Sequence, residues 1–452
     1  MKRLFLFLLS TVCLLSQAQD LKPCGTSVLA RRHVADRGAS SRVRLGKAPQ
    51  QNAFLGEKRG LIILVEFPNA RFKDENAFHT WSDIINLEGY SDNKAPGSVS
   101  DYFYDQSYGQ FRLTFDVIGP VEVLHDYAYY GTNKDWGAPT GWFDQNVGEL
   151  VEEACLAVSE QVRFADYDWD KDGEVEQVFL LYAGHGENDY WSKDSTVIWP
   201  HMASMITDWG YEDGLLVQGV HINNYACSNE IDHAGKLVGM GTFCHEFSHC
   251  LGLPDLYNTE KGGSIVGNYD IMDQGCYNGK NWCPSGYSSY ERFLCGWLTP
   301  VEVDDPHAIV GYDPYDKLTH PSDSHLVRPL IRYPDACLYR VSPDANDYYL
   351  IEYRLKESWD QYILKEGLLA WHIDYDELAW TENTVNNDPD NLRVTRLTPD
   401  EIMPTGIARM SCDDSSPSVV YDLLGHRLMT LPVISGLYII KYPDGTTKKV
   451  FR

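Results

Sequence analysis

The sequence predicts a mixed α+β fold, and three observations carry that prediction. Apolar runs of strand length recur early in the chain, segments with helical spacing stand among them, and after residue 300 the patterning becomes strand-like. The expected architecture is a mixed sheet with a motif-bearing helix, then a β-rich region, then a small C-terminal β segment.

The elements are read in order. GLIILVEF at 60–67 is a continuous apolar run with β-branched residues, as expected of a strand buried on both faces. Leu113 to Val117 predicts another strand. DQNVGELVEEACLAV at 144–158 places Val147, Leu150, Val151, Ala154 and Cys155 on one helical face. EVEQVFLLYAG at 174–184 predicts a further buried strand. TFCHEFSHCLGL at 242–253 has helical spacing, whereas YYLIEYRL and GLLAWHID are strand-like. The tail from 419 to 452 predicts short strands with a turn at Pro443 to Gly445.

The chain has 452 residues, 43% hydrophobic and 13% aromatic, which is ample for a large core. Its net charge of −27 argues against nucleic acid or an anionic membrane as partners, because both require a basic surface. MKRLFLFLLSTVCLLSQAQ opens with Lys2 and Arg3, continues with a short apolar core and ends on Ser16 and Ala18 at cleavage spacing. This is the pattern of a secretory signal peptide over 1–18, too short for a transmembrane anchor. No later stretch is apolar enough to span a bilayer, so a secreted or cell-surface protein is expected. Residues 19–59 read as a pro-segment or linker, 60–400 as the main domain and 401–418 as a second linker. Cys13 would leave with the signal, and the remaining ten cysteines make disulfides an expectation for an exported chain. The protein is expected to be a monomer.

HEFSHCLGLPDLY at 245–257 carries the chemistry. His245 and His249 are one helical turn apart, so both imidazoles can share one metal. Glu246 lies beside the same face, where it can act as general base toward a water at the metal. Gly252 can end the helix with a left-handed backbone, and Pro254 cannot extend it. The resulting turn can bring Asp255 back as a third ligand for zinc, which commonly takes three protein ligands. Glu291, on a following helix, is the alternative third ligand. Met272, in VGNYDIMDQG, is a candidate for an apolar floor under the metal. Tyr257, Tyr269 and Tyr277 are candidate donors to an oxyanion.

A second metal site is expected at DYDWDKDGEVE, 166–176. Asp168, Asp170 and Asp172 occupy alternate positions, Gly173 permits the turn and Glu176 can close the set around calcium. The loop is not an EF-hand, because Phe179 stands where the bidentate glutamate would be. KPCG at 22–25 raises the idea that the Cys24 thiolate could occupy the open zinc position and keep the enzyme latent.

Together HEFSHCLGLPDLY, VGNYDIMDQG, ERFLCGWL, DQSYGQFRL, IWPH, YYLIEYR and GLLAWHID resemble the immune inhibitor A-like family of secreted zinc metalloproteases, over roughly residues 60–400. The resemblance implies a zincin-like domain that hydrolyses peptide bonds of protein substrates. It assigns His245, His249 and Asp255 as zinc ligands, Glu246 as the base and Met272 as a Met-turn residue, and it also implies calcium at the acidic loop. Ser248 stands where that family usually has Gly, and Cys250 where it has an acidic residue; neither change removes a ligand. The last ~35 residues resemble C-terminal sorting segments of secreted Bacteroidetes proteins. Two other readings are a non-catalytic binding or adhesion protein on a protease scaffold, and a metal-dependent amidase or esterase.

Overall fold

The apolar run at 60–67 lies in the middle of a sheet. In the computed structural model the described residues are 54–137, 142–189, 194–311, 325–340 and 346–397, with the backbone of four short strands between 419 and 451. The expected leader, most of the expected pro-segment including Cys24, and the linker at 401–418 lie outside the described residues. Five strands form the first sheet: β1 (Gly56–Glu66), β2 (Phe111–Glu122), β3 (Val178–His185), β4 (His201–Ser204) and β5 (Asn224–Ile231). Their order is β2-β1-β3-β5-β4, with every pairing parallel except the antiparallel edge strand β4. Central parallel strands are covered on both faces, which is why β1 and β3 are apolar throughout rather than alternating.

The two faces separate by the period of two. Leu61, Ile63 and Val65 point into one core, with Val147, Leu150, Val151, Ala154 and Cys155 of α3. Ile62 and Leu64 point into the other. Among the helices of the described residues are α1 (Ala77–Asn86), α2 (Val99–Gln106), α3 (Val147–Val158), α4 (Gly241–Cys250), α5 (Ser289–Leu294) and α6 (Glu377–Thr381). Helix α3 starts three residues into the predicted segment. Helices α1 and α2 were not expected; α2 begins at a capping box in which Ser98 accepts from the Asp101 amide and Asp101 reaches back to the Ser98 amide. The strand predicted at 174–184 is split. Glu176 turns its carboxylate back to the Trp169 amide, at 2.6 Å, and β3 begins only at Val178.

A second sheet follows: β6 (Val301–Val303), β7 (Cys337–Tyr339), β8 (Asp347–Arg354), β9 (Gly367–Asp374) and β10 (Val394–Leu397), in that order. Its residues Leu350, Trp371 and Ile373 share one continuous core with Phe243 and Phe247 of α4. Each such side chain contributes roughly 1.5–3 kcal/mol by leaving water. Residues of both sheets therefore contribute to the core that the motif helix joins. The tail forms a four-stranded antiparallel arrangement, as its patterning predicts.

The disulfide expectation is corrected for the described residues. Cys155, Cys227, Cys244, Cys250, Cys276, Cys283, Cys295 and Cys337 are all free thiols. Seven of them are buried and serve as small apolar core residues, dispersed among different elements.

Edge strand β4 supplies a pH-sensitive contribution to stability. His201 is fully buried, with Nδ1 2.5 Å from the Trp199 carbonyl and Nε2 2.7 Å from the Tyr225 hydroxyl. Burial pushes its pKa down to about 4. The unfolded chain takes up this proton near pH 6.5 and the folded protein does not. The contribution is therefore present above 6.5 and lost as pH falls toward 4, on the order of 3 kcal/mol in all. Urea unfolding at pH 7, 5.5 and 4.5 should show a shallower loss for His201→Gln than for the wild-type chain. Parallel curves would rule this contribution out.

Candidate active site

Helix α4 carries the motif because nearly every side chain on it is buried, so its polar residues can face only a site built for them. Its end follows from local chemistry. Gly252 takes φ +84°, its amide donates to the His249 carbonyl at 2.9 Å, and Pro254 then directs the chain away from the helix. Asp255 comes back against the histidines: its Oδ1 lies 3.2 Å from His245 Nε2 and 3.5 Å from His249 Nε2. These donor atoms fall within 4.8 Å of one another, close enough to hold one metal ion.

The outer contacts set the inner geometry. His245 Nδ1 faces the Ile271 carbonyl and His249 Nδ1 faces the Leu253 carbonyl, each at 2.8 Å. A proton on Nδ1 satisfies each carbonyl and leaves both Nε2 lone pairs aimed at the same point. His245 Nε2 is buried with Asp255 Oδ1 before it at 3.2 Å, a ring lone pair and a carboxylate oxygen facing one another, which is favourable when a cation or a proton lies between them. Two neutral imidazoles and a carboxylate are also the ligand chemistry of catalytic zinc, so the residues fit that ion.

The electrostatics agree. Burial opposes a charge on either imidazole, but at His245 the Asp255 hydrogen bond and the Glu246 and Asp255 charges outweigh it, raising the pKa to about 9. His249 is pushed down to about 4 by burial, with the Asp255 charge opposing. The two differ because Asp255 lies closer to the His245 ring, at 3.2 Å against 3.5 Å. Asp255 itself is held below its usual range: burial raises it, and the His249 and His245 interactions outweigh that.

Glu246 is 2% exposed, and its Oε2 lies 4.0 Å from His249 Nε2. It lines a small open cleft with His245, Thr242, Asn188, Trp199, Pro200, Cys276 and Tyr277. Of the three tyrosines considered from sequence, only Tyr277 borders this cleft. The Tyr269 hydroxyl is engaged by the Lys365 backbone.

Met272 is fully buried, and its carbonyl accepts from the Leu256 amide at 2.8 Å, beside Asp255. Glu291 is not among the converging donors. Its Oε2 caps α5 by accepting from the Ser288 amide at 2.7 Å, and its carboxyl lies against Asp270. Burial, and after it the Asp270 charge, push Glu291 well above its ordinary range. Ser248, in place of the expected Gly, turns its hydroxyl to the Cys244 carbonyl and the Tyr287 hydroxyl, away from the metal donors. Cys250 is partly exposed and unpaired by disulfide.

At the acidic loop, Asp168, Asp170 and Glu176 gather oxygens within 4.8 Å. Asp172 is not in that group; its Oδ1 accepts from the Glu174 amide at 2.9 Å. Gly173 takes φ +91°, the turn its position predicts. Burial pushes Glu176 up to about 8, with the Asp170 and Asp168 charges adding to it.

Asn383 is a site residue that no sequence signal singled out. Its side-chain amide donates to Asp255 Oδ2 at 2.7 Å and accepts from the Asp255 amide at 2.8 Å.

A buried helix presenting His, Glu and His, with an aspartate folded back onto them beneath a mixed sheet, defines the class as a zincin-like metallopeptidase domain. Residues 55–295 match the immune inhibitor A peptidase M6 catalytic domain, so the chain belongs to that family. It is 24% identical over 277 residues to the pre-pro-metalloprotease PrtV of Vibrio cholerae serotype O1, covering 53% of this chain and 30% of that protein. It is 23% identical over 304 residues to immune inhibitor A of Bacillus thuringiensis subsp. alesti, covering 57% of this chain and 44% of that protein. The chain thus spans less than half the length of these relatives. No helix among the described residues is long and apolar enough to cross a membrane.

Proposed function

We propose that this protein is a secreted zinc metalloendopeptidase that hydrolyses peptide bonds of extracellular proteins, with Glu246 as general base. The observation that carries the reading is the convergence of His245, His249 and Asp255 beside Glu246 in an open cleft. His245, His249 and Asp255 would hold the ion. Zinc bound there would polarise the scissile carbonyl and lower the pKa of its water to about 7. Glu246 takes the proton from the attacking water and passes it to the leaving amine. Its burial keeps the proton from exchanging with bulk solvent during that transfer. Tyr277, which lines the cleft, would donate to the developing oxyanion. Met272 forms the apolar floor.

The same reading includes export by the leader at 1–18, a monomer as the working unit, and a structural calcium ion held by Asp168, Asp170 and Glu176. Calcium would neutralise the crowded carboxylates and brace the strand that follows.

One experiment with two arms tests both metals. The purified chain is given casein, an unstructured protein, with a zinc-selective chelator in one arm and a calcium-selective one in the other. Zinc removal should abolish cleavage, and added zinc should restore it. Calcium removal should lower the melting temperature by several degrees, the size expected when a tight ligand of the folded state is withdrawn. Cleavage indifferent to zinc removal overturns the zinc assignment, and an unmoved melting temperature overturns the calcium one. A zinc-loaded chain that cuts no protein or peptide would point instead to a binding protein or an amidase.

A further inference from the structure

Asp255 is held from outside the family's matched region, which ends at residue 295. We propose that Asn383 is the positioning residue for Asp255, and that the catalytic unit therefore extends through the second sheet to about residue 387. The inference rests on the zinc reading above.

Asn383 follows α6, which leaves β9 of the second sheet. It is 4% exposed and holds φ +52°, and its amide donates to the Trp380 carbonyl at 3.2 Å. Asparagine tolerates this left-handed conformation better than most residues. The fork of its side chain grips Asp255 twice, by Nδ2 to the carboxylate Oδ2 and by Oδ1 from the backbone amide. With Oδ2 engaged, Oδ1 is the oxygen that faces the two imidazoles. A neutral carboxamide suits the task, since it orients the carboxylate without adding a charge that would compete for the cation.

The neighbouring residues repeat the clamp along the same loop. Asn386 Nδ2 donates to the Leu256 carbonyl at 2.7 Å, and Asn387 Oδ1 accepts from the Thr259 amide at 2.8 Å. The Thr259 hydroxyl donates to the Asn383 carbonyl at 2.9 Å. Three asparagines thus hold residues 255–259, and only Asn383 touches the ligand itself. It acts through Asp255, not on the reacting atoms.

The test uses three full-length variants. Asn383→Asp and Asn383→Gly both tolerate the positive φ. The first keeps the acceptor for the Asp255 amide and sets a carboxylate oxygen where the donor stood; the second removes the fork. Thr259→Val loosens the same clamp without touching Asp255. Zinc affinity is measured by competition with a chromogenic chelator. Cobalt(II) is used as a probe of ligand geometry through its d–d absorption, and melting temperatures are taken on the metal-free proteins.

Both Asn383 variants should bind zinc about 10- to 100-fold more weakly and show altered cobalt bands. Thr259→Val should keep the wild-type affinity and bands, whatever its melting temperature. If Asn383→Asp does not fold, Asn383→Gly carries the same measurement. Wild-type zinc affinity in the Asn383 variants would overturn the proposal and leave the zinc reading intact. Equal weakening in all three would make Asn383 merely structural. A wild-type chain that takes up no zinc would overturn the zinc reading and this proposal with it.

Discussion

Replacing Glu246 with glutamine is expected to lower kcat by about 10²- to 10⁴-fold and to leave the metal in place. Glutamine has nearly the same shape, and its amide can still hydrogen-bond into the cleft beside Thr242 and His245. It has no basic oxygen to take the proton. The metal donors are untouched, because Glu246 is not one of the three converging groups. The loss corresponds to about 3–5 kcal/mol of transition-state stabilisation. The measurement is kcat on a fluorogenic peptide, with zinc content determined on the same samples. Activity within a few-fold of wild type would remove Glu246 from the base role. A loss accompanied by zinc release would make it a ligand instead.

The largest expected loss of stability comes from a residue outside the cleft. Arg354, on β8, is fully buried and lies between two carboxylates, 3.1 Å from Glu352 Oε1 and 2.5 Å from Asp360 Oδ1. Glu352 in turn accepts from the Ser289 amide, and Asp360 from the Gly286 amide. The guanidinium also donates to the Tyr269 and Gly286 carbonyls, which bracket the segment carrying Met272. Arg354→Met removes the cation and leaves Glu352 and Asp360 buried and uncompensated. Breaking such a pair costs about 3–5 kcal/mol, well above the worth of a surface ion pair. Urea unfolding monitored by tryptophan fluorescence should show the drop. Adding Glu352→Gln and Asp360→Asn should recover part of it, because the penalty lies in the stranded charges. A loss below about 1 kcal/mol would mean the network is not strongly coupled to folding.

Those two predictions differ in how readable their residues were. Glu246 lies inside a motif whose spacing equals one helical turn, so the local chain alone places it beside His245 and His249. Gly252 and Pro254 are equally local: a left-handed glycine and a residue without an amide proton end a helix wherever they stand. Arg354 sits in YYLIEYRL, which reads only as a strand. Its burial depends on Asp360 and on the 269–289 segment, and neither spacing nor composition encodes that meeting. The missed helices α1 and α2 are short and pack into the shared core, and helices of this length hold chiefly through such packing, although the Ser98–Asp101 capping box of α2 is a local signal.

The choice between Asp255 and Glu291 shows the boundary most clearly. Both are carboxylates within reach of the motif in sequence, and both can be ligands by chemistry. The fold directs Asp255 Oδ1 to the imidazoles and turns Glu291 into the cap of α5 beside Asp270. By itself the sequence determined the α+β class, the central buried strands, the helix with its two histidines and Glu246, and the helix stop. These follow from periodicity and backbone sterics acting over a few residues. Only the tertiary structure decided the third donor, the Asn383 grip and the Arg354 network. Each of these depends on which buried polar group meets which partner across long stretches of chain, and such groups are stable only where their hydrogen bonds and charges are matched in space.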